Sequence, residues 1–229
     1  MLSYDEWQAV RTSLVVGVRA VVVALPIAFA LAWLLTQGRF RGRALLDTLV
    51  HAPLVLPPVV VGYALLLLFG IQGVFGRWLE AAFGVRLVFT SAGASLAAGV
   101  MALPMMVRAI RLSLEAVDRR LEDAASTLGA SKAWTFATVT LPLALPGIIA
   151  GMVLCFAKAL GEFGATITFV SNIPGETQTL SAAIYTYTNI PGGDAAAGRL
   201  VIVAIVIALA ALVVSEWFAR RAGMRYRGD

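Results

Sequence analysis

Five apolar runs, each close to the length that crosses a lipid bilayer, constrain this chain more than any other feature. A membrane-spanning helix needs about 20 predominantly apolar residues. Hydrophobic residues make up 60% of the 229 residues and charged residues only 14%, unlike a soluble domain. The sequence therefore predicts an all-α, polytopic membrane protein in which residues 1–229 form one transmembrane domain. We expect five spans, at about residues 12–35, 45–69, 89–106, 141–160 and 200–218.

Single residues at the start and inside the spans exclude several other classes of protein. The first run follows Asp5 and Glu6, where a cleavable signal peptide would carry basic residues. The chain has one cysteine, Cys155, so it has no intrachain disulfide framework and no cysteine metal cluster. It has one histidine, His51, which argues against a multi-histidine site.

Basic residues are distributed unequally between the segments that connect the spans, and this sets the expected orientation. Cytoplasmic segments collect Lys and Arg. One set of segments carries Arg39, Arg41, Arg43, Arg108, Arg111, Arg119, Arg120, Lys132, Arg220, Arg221, Arg225 and Arg227. The opposite set carries only Arg11, Arg77, Arg86 and Arg199. We therefore expect the N-terminus outside, the C-terminus in the cytoplasm, and no nucleic-acid role, because these residues flank spans and form no separate basic domain.

The connecting segment 119–142 is more ordered than a loop between two spans needs to be. Its first part is rich in alanine and has high helix propensity. Gly129 can end a short helix and turn the chain. Residues 132–139 can form a second helical stretch, and Pro142 suits the first turn of the fourth span. The pattern predicts a rigid helix–turn–helix elbow on the cytoplasmic side, which is a docking surface for a partner protein.

Two further features lie inside the spans. Pro57 and Pro58 lack amide hydrogens and interrupt the backbone ladder of span 2, either as a packing kink or as a gating bend beside a pathway. Lys158 and Glu162 are four residues apart near the end of span 4. They form either an ion pair or part of a polar pathway, with Glu162 close enough to the outer boundary to be partly wet.

The outer segment 171–198 is long and bracketed by turn signals, Pro-Gly and Gly-Gly. Between them, residues 180–188 suit a short amphipathic helix lying at the membrane interface. The polar residues before this helix, Thr166, Thr168, Ser171 and Asn172, could hydrogen-bond an anion. No internal repeat is visible in the sequence, which argues against a secondary transporter built from inverted repeats of this chain.

The chain contains no sequence motif for using nucleotide or for catalysis. It has no GxxxxGK[ST] phosphate-binding loop and no GxSxG or HExxH motif. We therefore expect a non-catalytic subunit that receives its energy from a partner.

The elbow resembles the EAA loop of ABC importer permeases, in which EAA, three residues, Gly, nine residues and Ile-x-Leu-Pro follow one another. Here the loop reads Asp123-Ala124-Ala125, three residues, Gly129, nine residues, and Val139-Thr140-Leu141-Pro142. Asp replaces Glu and Val replaces Ile. The resemblance implies a type I importer permease fold. It also implies that residues 119–140 are a coupling loop that fits a groove on an ATP-binding subunit, with these residues taking part: Asp123, Ala124, Ala125, Gly129, Leu141 and Pro142.

A second resemblance covers nearly the whole chain. The runs LVLPPVVVGY, MVRAIRLSLEAVDRRLEDAASTLG and LGEFGATITFVSNIPGETQTL are similar to those of the molybdate permeases. This implies a homodimer in a bacterial cytoplasmic membrane, surrounded by lipid, with its pathway at the two-fold interface. Two cytoplasmic ATPase subunits would use ATP and Mg, the chain itself would bind no cofactor, and an outer binding protein would deliver molybdate or tungstate.

Three alternatives remain open from the sequence. The sulfate and thiosulfate permeases share the general plan of the molybdate permeases. A stand-alone anion channel or secondary transporter would move its substrate without nucleotide and would leave the elbow unexplained. An intramembrane enzyme would need a catalytic pair within the bilayer, for which Lys158 and Glu162 are the candidates.

Overall fold

The computed structural model describes residues 2–38 and 40–224, and this part of the chain is all-helical apart from its turns and short connections. Arg39, Arg225 and Arg227, which contribute to the expected orientation, lie outside the described residues.

Four helices within the described residues are long and apolar enough to cross a membrane. The first begins before the predicted residue 12, because Ser3 and Glu6 form a capping box that starts it. The helix predicted at residues 89–106 extends to Glu115, and the helix predicted at residues 141–160 has those bounds. The helices are α1 (Tyr4–Gln37), α5 (Ser91–Glu115), α8 (Leu141–Leu160) and α11 (Asp194–Met224).

The predicted span at residues 45–69 is interrupted in the structure and is not one continuous helix. The structure has α2 (Arg43–Val55) and α3 (Pro58–Phe69), and the chain bends by 116° between them. Leu56 and Pro57 are extended, with ψ of 140° and 134°. Two consecutive prolines remove two amide donors, so the helical ladder stops instead of bending gently. The described residues therefore contain four candidate spans, or five if this bent pair is one span.

Five shorter helices connect or cap the long ones. The helix predicted at residues 180–188 is present with those bounds. It packs against α1 and α11, with Leu180, Ala182 and Ala183 buried. The short helices are α4 (Val74–Phe83), α6 (Arg119–Thr127), α7 (Lys132–Thr135), α9 (Gly164–Val170) and α10 (Leu180–Thr188).

Small residues let the long helices approach closely. On α1, a stripe of alanines at every fourth position is fully or almost fully buried: Ala20, Ala24, Ala28 and Ala32. Three alanines of α5 are completely buried: Ala94, Ala97 and Ala98. Membrane helices associate mainly through such close packing, because lipid gives little hydrophobic driving force between them.

The core consists of three clusters stacked along α1. The first joins α1, α2, α5 and α8 around Leu35, Met106 and Ile110. The second joins α1, α3, α5 and α9 around Phe169. The third joins the first turns of α1 to α10 and α11 around Leu200. The α1 helix is therefore the common wall against which the other helices are positioned.

Candidate functional site

The predicted elbow is present as two short helical arms joined by a glycine turn. Asp118 begins α6 by accepting a hydrogen bond from the amide of Arg120 at 2.9 Å. The helix ends at Thr127, and Gly129 follows with a φ of 86°, where a residue with a Cβ would be strained. The amide of Ala130 then bonds the carbonyl of Ala125 at 3.1 Å, which closes the turn.

The second arm runs into α8 without a break. Ser131 begins α7 by accepting a hydrogen bond from the amide of Trp134. A π-helical turn, Phe136–Thr140, continues from α7, and the amide of Leu141 bonds the carbonyl of Phe136. Pro142 lies in the first turn of α8. The second arm and the candidate span are therefore one continuous rod, so a displacement of the elbow is transmitted directly to α8.

A hydrogen bond between two side chains holds the two arms of the elbow together. The hydroxyl of Thr140 donates to a carboxylate oxygen of Glu122. Thr140 is buried at the end of the π-helical turn, and Glu122 lies in the first turn of α6. Because the residues are 18 positions apart on different helices, no local pattern indicates that they meet.

The elbow presents an exposed apolar surface. None of the residues of α6 is buried, and Asp123 and Ala124 are exposed while Ala125 is partly covered. Leu128 is 88% exposed and Trp134 is 64% exposed. Large apolar side chains exposed together in a connecting segment are typical of a protein–protein contact. Leu121, also exposed on α6, extends this surface.

Aromatic packing connects the second arm to α1 as well. The ring of Phe136 meets the ring of Trp33 edge-on, with centroids 4.7 Å apart. It also lies 6.0 Å from the ring of Phe29. A movement of the elbow would therefore displace α1 as well as α8.

The predicted pathway residues lie at two helix breaks that the structure brings together. One break is at Pro57 and Pro58, and the other separates α8 from α9 at Gly161. The starts of α3 and α9 touch: a Cβ on Gly164 would lie 2.8 Å from the Cβ of Pro58. One turn further along α3, a Cβ on Gly62 would lie 2.6 Å from the carbonyl oxygen of Ala165. Glycine is therefore required where these backbones cross.

Glu162 and Lys158 form the ion pair that their spacing predicted, with 3.1 Å between Lys158 Nζ and Glu162 Oε2. The other carboxylate oxygen accepts a hydrogen bond from the amide of Ala165 at 3.0 Å. The expectation that Glu162 is partly wet is wrong, because its side chain is only 2% exposed. The ammonium group of Lys158 is more accessible, with 32% of the side chain exposed. This pair therefore combines a buried anion and a reachable cation.

The hydroxyl groups beyond Glu162 are used within their own helix. Thr166 donates to the carbonyl of Phe163 at 2.9 Å, and Thr168 donates to the carbonyl of Gly164 at 2.8 Å. Asn172 donates to the hydroxyl of Thr186 at 2.9 Å, which connects the end of α9 to α10. The two threonine hydroxyls therefore stabilise local backbone, and the Asn172 amide connects two helices, so these donors are not directed at a shared anion site.

The elbow and the helix breaks are separate sites at opposite ends of α8. The 20 residues of this helix correspond to about 30 Å, which is the thickness of the hydrocarbon core of a bilayer. Within residues 2–38 and 40–224, no three His, Cys, Asp or Glu side chains are grouped closely enough to hold a metal ion. The α8 helix therefore connects the two sites directly, and α1 and α5 pack alongside it.

A second charged cluster, absent from the sequence analysis, joins α2 to α5 at the elbow end. Arg111 donates to Glu115 at 2.8 Å and to both carboxylate oxygens of Asp47 at 3.3 Å. The ring nitrogen Nδ1 of His51 lies 3.2 Å from Asp47. The spacing of Arg111 and Glu115 suits an ion pair on one helix, but the contact of Arg111 with Asp47 spans 64 residues and depends on the fold.

The fold places the chain among all-helical polytopic membrane proteins, and comparison with known families defines its class. A family described as "Binding-protein-dependent transport system inner membrane component" matches residues 23–227. The chain belongs to this family, and it is an inner-membrane component of a transport system.

Curated relatives match almost the full length of the chain. The "Molybdenum transport system permease protein ModB" of Escherichia coli (strain K12) is 56% identical over 96% of both chains. The protein of the same name from Haemophilus influenzae is 50% identical over 94% of both. A "Sulfate transport system permease protein CysT" of Escherichia coli (strain K12) is 35% identical over 83% of this chain and 70% of that one.

Solved structures share the architecture at low sequence identity. A chain of the inward-facing MetNI methionine ABC transporter matches with a TM-score of 0.69, 16% identity, and coverage of 95% and 94%. A chain of a bacterial ABC transporter that imports alginate matches with a TM-score of 0.71, 19% identity, and coverage of 98% and 80%. The predicted type I importer permease fold is therefore confirmed, while the number of spans and the orientation stay predictions.

Proposed function

We propose that this chain is the transmembrane subunit of an ATP-driven importer that moves molybdate or tungstate across the cytoplasmic membrane. The observation that carries the proposal is the 56% identity, over 96% of both chains, to a permease named for molybdenum transport. An alignment of 220 residues extends across the elbow, both helix breaks and the outer segment together.

In this proposal the elbow receives the mechanical input from a separate ATPase. The N-terminus of the chain lies outside, and its C-terminus and the elbow lie in the cytoplasm. The chain forms a homodimer, and each of the two elbows fits one ATP-binding subunit. Asp123, Ala124, Ala125 and Gly129 form the docking side, with Leu141 and Pro142 at the start of α8. The bond from Thr140 to Glu122 supports this role, because it makes α6 move with α8 as one body.

The paired helix breaks are the proposed pathway and gate. Pro57, Pro58, Lys158 and Glu162 lie at or beside places where two helices are interrupted and packed together. Interrupted helices in membranes are tolerated where they are buried in protein or line a cavity. The partly exposed ammonium group of Lys158 can attract an oxyanion electrostatically. Its ion pair with Glu162 keeps the binding of that anion weak.

The proposed cycle follows from these positions. Closure of the ATPase dimer brings the two elbows together, and each elbow moves its α8, so that the outer end of the pathway opens. An outer binding protein delivers the oxyanion there, and hydrolysis reverses the movement. ATP shifts this equilibrium only because the ATPases bind the two conformations with different affinity. The chain transmits movement from the elbow to α8 and provides the pathway for the anion, and it performs no chemical step.

Transport of sulfate is the second candidate, favoured by the 35% identity to a sulfate permease. The test is uptake into proteoliposomes that contain this chain, its ATPase and its binding protein. We expect ATP-dependent uptake of labelled molybdate that excess tungstate inhibits and excess sulfate does not. Inhibition by sulfate as strong as that by tungstate would favour the second candidate, and uptake without nucleotide would indicate a channel or secondary transporter.

The role of the elbow is tested by placing a bulky charge on it. We expect Ala124→Arg to abolish most ATP-driven uptake, because an exposed alanine in a docking helix leaves no room for a long side chain. Ala81→Arg is the control, since Ala81 is exposed on α4, outside the elbow. Copurification of the ATPase reports docking, and elution of each purified variant as a single sharp peak in gel filtration shows that it has folded. Equal uptake by both variants would contradict the assignment.

Gly129 allows a second, matched comparison in the same assay. Gly129 and Gly192 have φ angles of 86° and 78°, and a Cβ on either would meet nothing within 4 Å. Alanine therefore imposes a similar backbone strain, roughly 1 kcal/mol, at both positions. We expect Gly129→Ala to reduce uptake several-fold and Gly192→Ala to leave it near the wild-type level. The opposite order would show that the turn at Gly129 is not part of the coupling surface.

A further inference from the structure

We propose that the surface between α1 and α5 is a binding site for one anionic phospholipid, with its phosphodiester on Arg11 and Arg19 and an acyl chain in the adjoining groove. This inference does not depend on which anion is transported. It uses two cavities that share a residue, and neither belongs to the elbow or to the helix breaks.

The first cavity is polar and has a volume of about 210 Å³. It lies beside the early turns of α1, where Gln8, Thr12 and Arg19 repeat at helical spacing on one face and Arg11 lies next to them. Ser91, the first residue of α5, closes one side of it. The guanidinium of Arg19 donates to the hydroxyl of Ser91 at 3.1 Å, so Arg19 is held against the start of α5.

The second cavity is an apolar groove of about 350 Å³ that continues from the first along α1. Arg19 lines both cavities. Beyond it the groove is formed by aliphatic side chains of the two helices: Val23 and Ile27 from α1, with Leu96, Val100 and Leu103 from α5. From Arg19 to Ile27 is about 12 Å along a helix, which suits the upper part of an acyl chain.

The charges in the polar cavity select a singly charged anion. Arg11 and Arg19 contribute two positive charges, and Glu176 contributes one negative charge at the same cavity. The balance is one positive charge, which equals the charge needed to neutralise one phosphodiester. Guanidinium groups bind phosphate oxygens through paired, charge-assisted hydrogen bonds. Ser91 adds a hydroxyl at the same level.

The position of the cavities favours a lipid over a soluble anion. Arg19 is exposed inside the apolar run of α1, where an unpaired charge is costly. Its contact with the first residue of α5 places it where the α5 helix begins, the level of lipid headgroups. A soluble oxyanion would use the polar cavity alone, whereas a phospholipid fills the polar cavity and the aliphatic groove at the same time.

The test is native mass spectrometry of the complete permease–ATPase complex titrated with palmitoyl-oleoyl-phosphatidylglycerol. We expect the wild-type complex to retain this lipid, and the double variant Arg11→Gln with Arg19→Gln to bind it about tenfold more weakly or worse. Arg77→Gln is the charge control, because Arg77 is exposed on α4 and does not line either cavity. Intact assembly of each variant, read from the same spectra, shows that it has folded.

A groove variant and two further probes make the result decisive. We expect Val100→Trp, which fills the groove and keeps both arginines, to reduce lipid retention as strongly as the double variant. Glycerophosphoglycerol, the headgroup without acyl chains, and inorganic phosphate should not displace the lipid. Unchanged retention in either variant, or displacement by a soluble probe, would overturn the proposal. So would a disulfide between two copies at Ile27→Cys, since it would mean that a second permease covers the groove; the native Cys155 is buried and does not interfere.

Discussion

Glu162 carries a carboxylate with only 2% of its side chain exposed, among apolar helices. Burial of a charge is costly unless hydrogen bonds and an opposite charge offset it. Here the ammonium of Lys158 and the amide of Ala165 provide both. Because Lys158 is about one-third exposed and Glu162 is not, the two members of the pair depend on each other unequally.

We predict that Lys158→Met destabilises the permease by about 3 kcal/mol, because it leaves a buried carboxylate without a cation. Glu162→Gln should cost only about 1 kcal/mol, since the amide oxygen still accepts the hydrogen bond from Ala165 and Lys158 can be solvated. Thermal unfolding of the purified protein in detergent measures both. The double variant serves as the control and should recover much of the loss. A larger effect of Glu162→Gln than of Lys158→Met would contradict this account.

At the scale of elements, the two interrupted helices are held together by glycine contacts. Pro57 and Pro58 predict that span 2 is interrupted, because proline cannot continue the ladder. The size of the bend, 116°, and the helix that packs against it could not be predicted in this way. They depend on α9, which begins more than 100 residues later and presses Gly164 against Pro58.

We predict that Gly62→Ala destabilises the protein by about 1–3 kcal/mol. The added methyl group would overlap the carbonyl oxygen of Ala165 and push α3 away from α9. Gly198→Ala is the control with the opposite sign. Gly198 lies in α11 with open space around it, so alanine should stabilise the helix by about 0.5–1 kcal/mol. An unfolding midpoint of Gly62→Ala at or above that of the wild type would show that the α3–α9 contact is not tight.

The whole molecule places the elbow and the paired helix breaks at opposite ends of α8, and its orientation in the membrane decides which side each of them faces. The excess of basic residues beside the elbow predicts a cytoplasmic elbow. The fold is compatible with this orientation because α4 and α10 lie at the other ends of the long helices. The fold is the same in either orientation, so the orientation has to be measured in the membrane.

We predict that a cysteine at Ala81 on α4 reacts with a membrane-impermeant maleimide in intact spheroplasts. A cysteine at Ser126 on α6 should react only after permeabilisation. Both native residues are exposed, so accessibility within the protein is comparable. The parent chain is the control, since Cys155 is completely buried and should stay unlabelled. Labelling of Ser126→Cys from outside would reverse the orientation and remove the elbow from the ATPase.

The sequence by itself determined the features that depend on local composition and spacing. Apolar runs of bilayer length determined the membrane class, and Gly129 indicated the turn of the elbow. The spacing of Lys158 and Glu162 allowed an ion pair, which the structure contains. Each follows from helix geometry or backbone freedom within a few residues. Only the tertiary structure decided that Glu162 is dry, that Thr140 reaches Glu122, that Pro58 meets Gly164, and that Arg19 joins two cavities. These contacts join residues distant in the sequence, and their burial and distance depend on how whole helices pack.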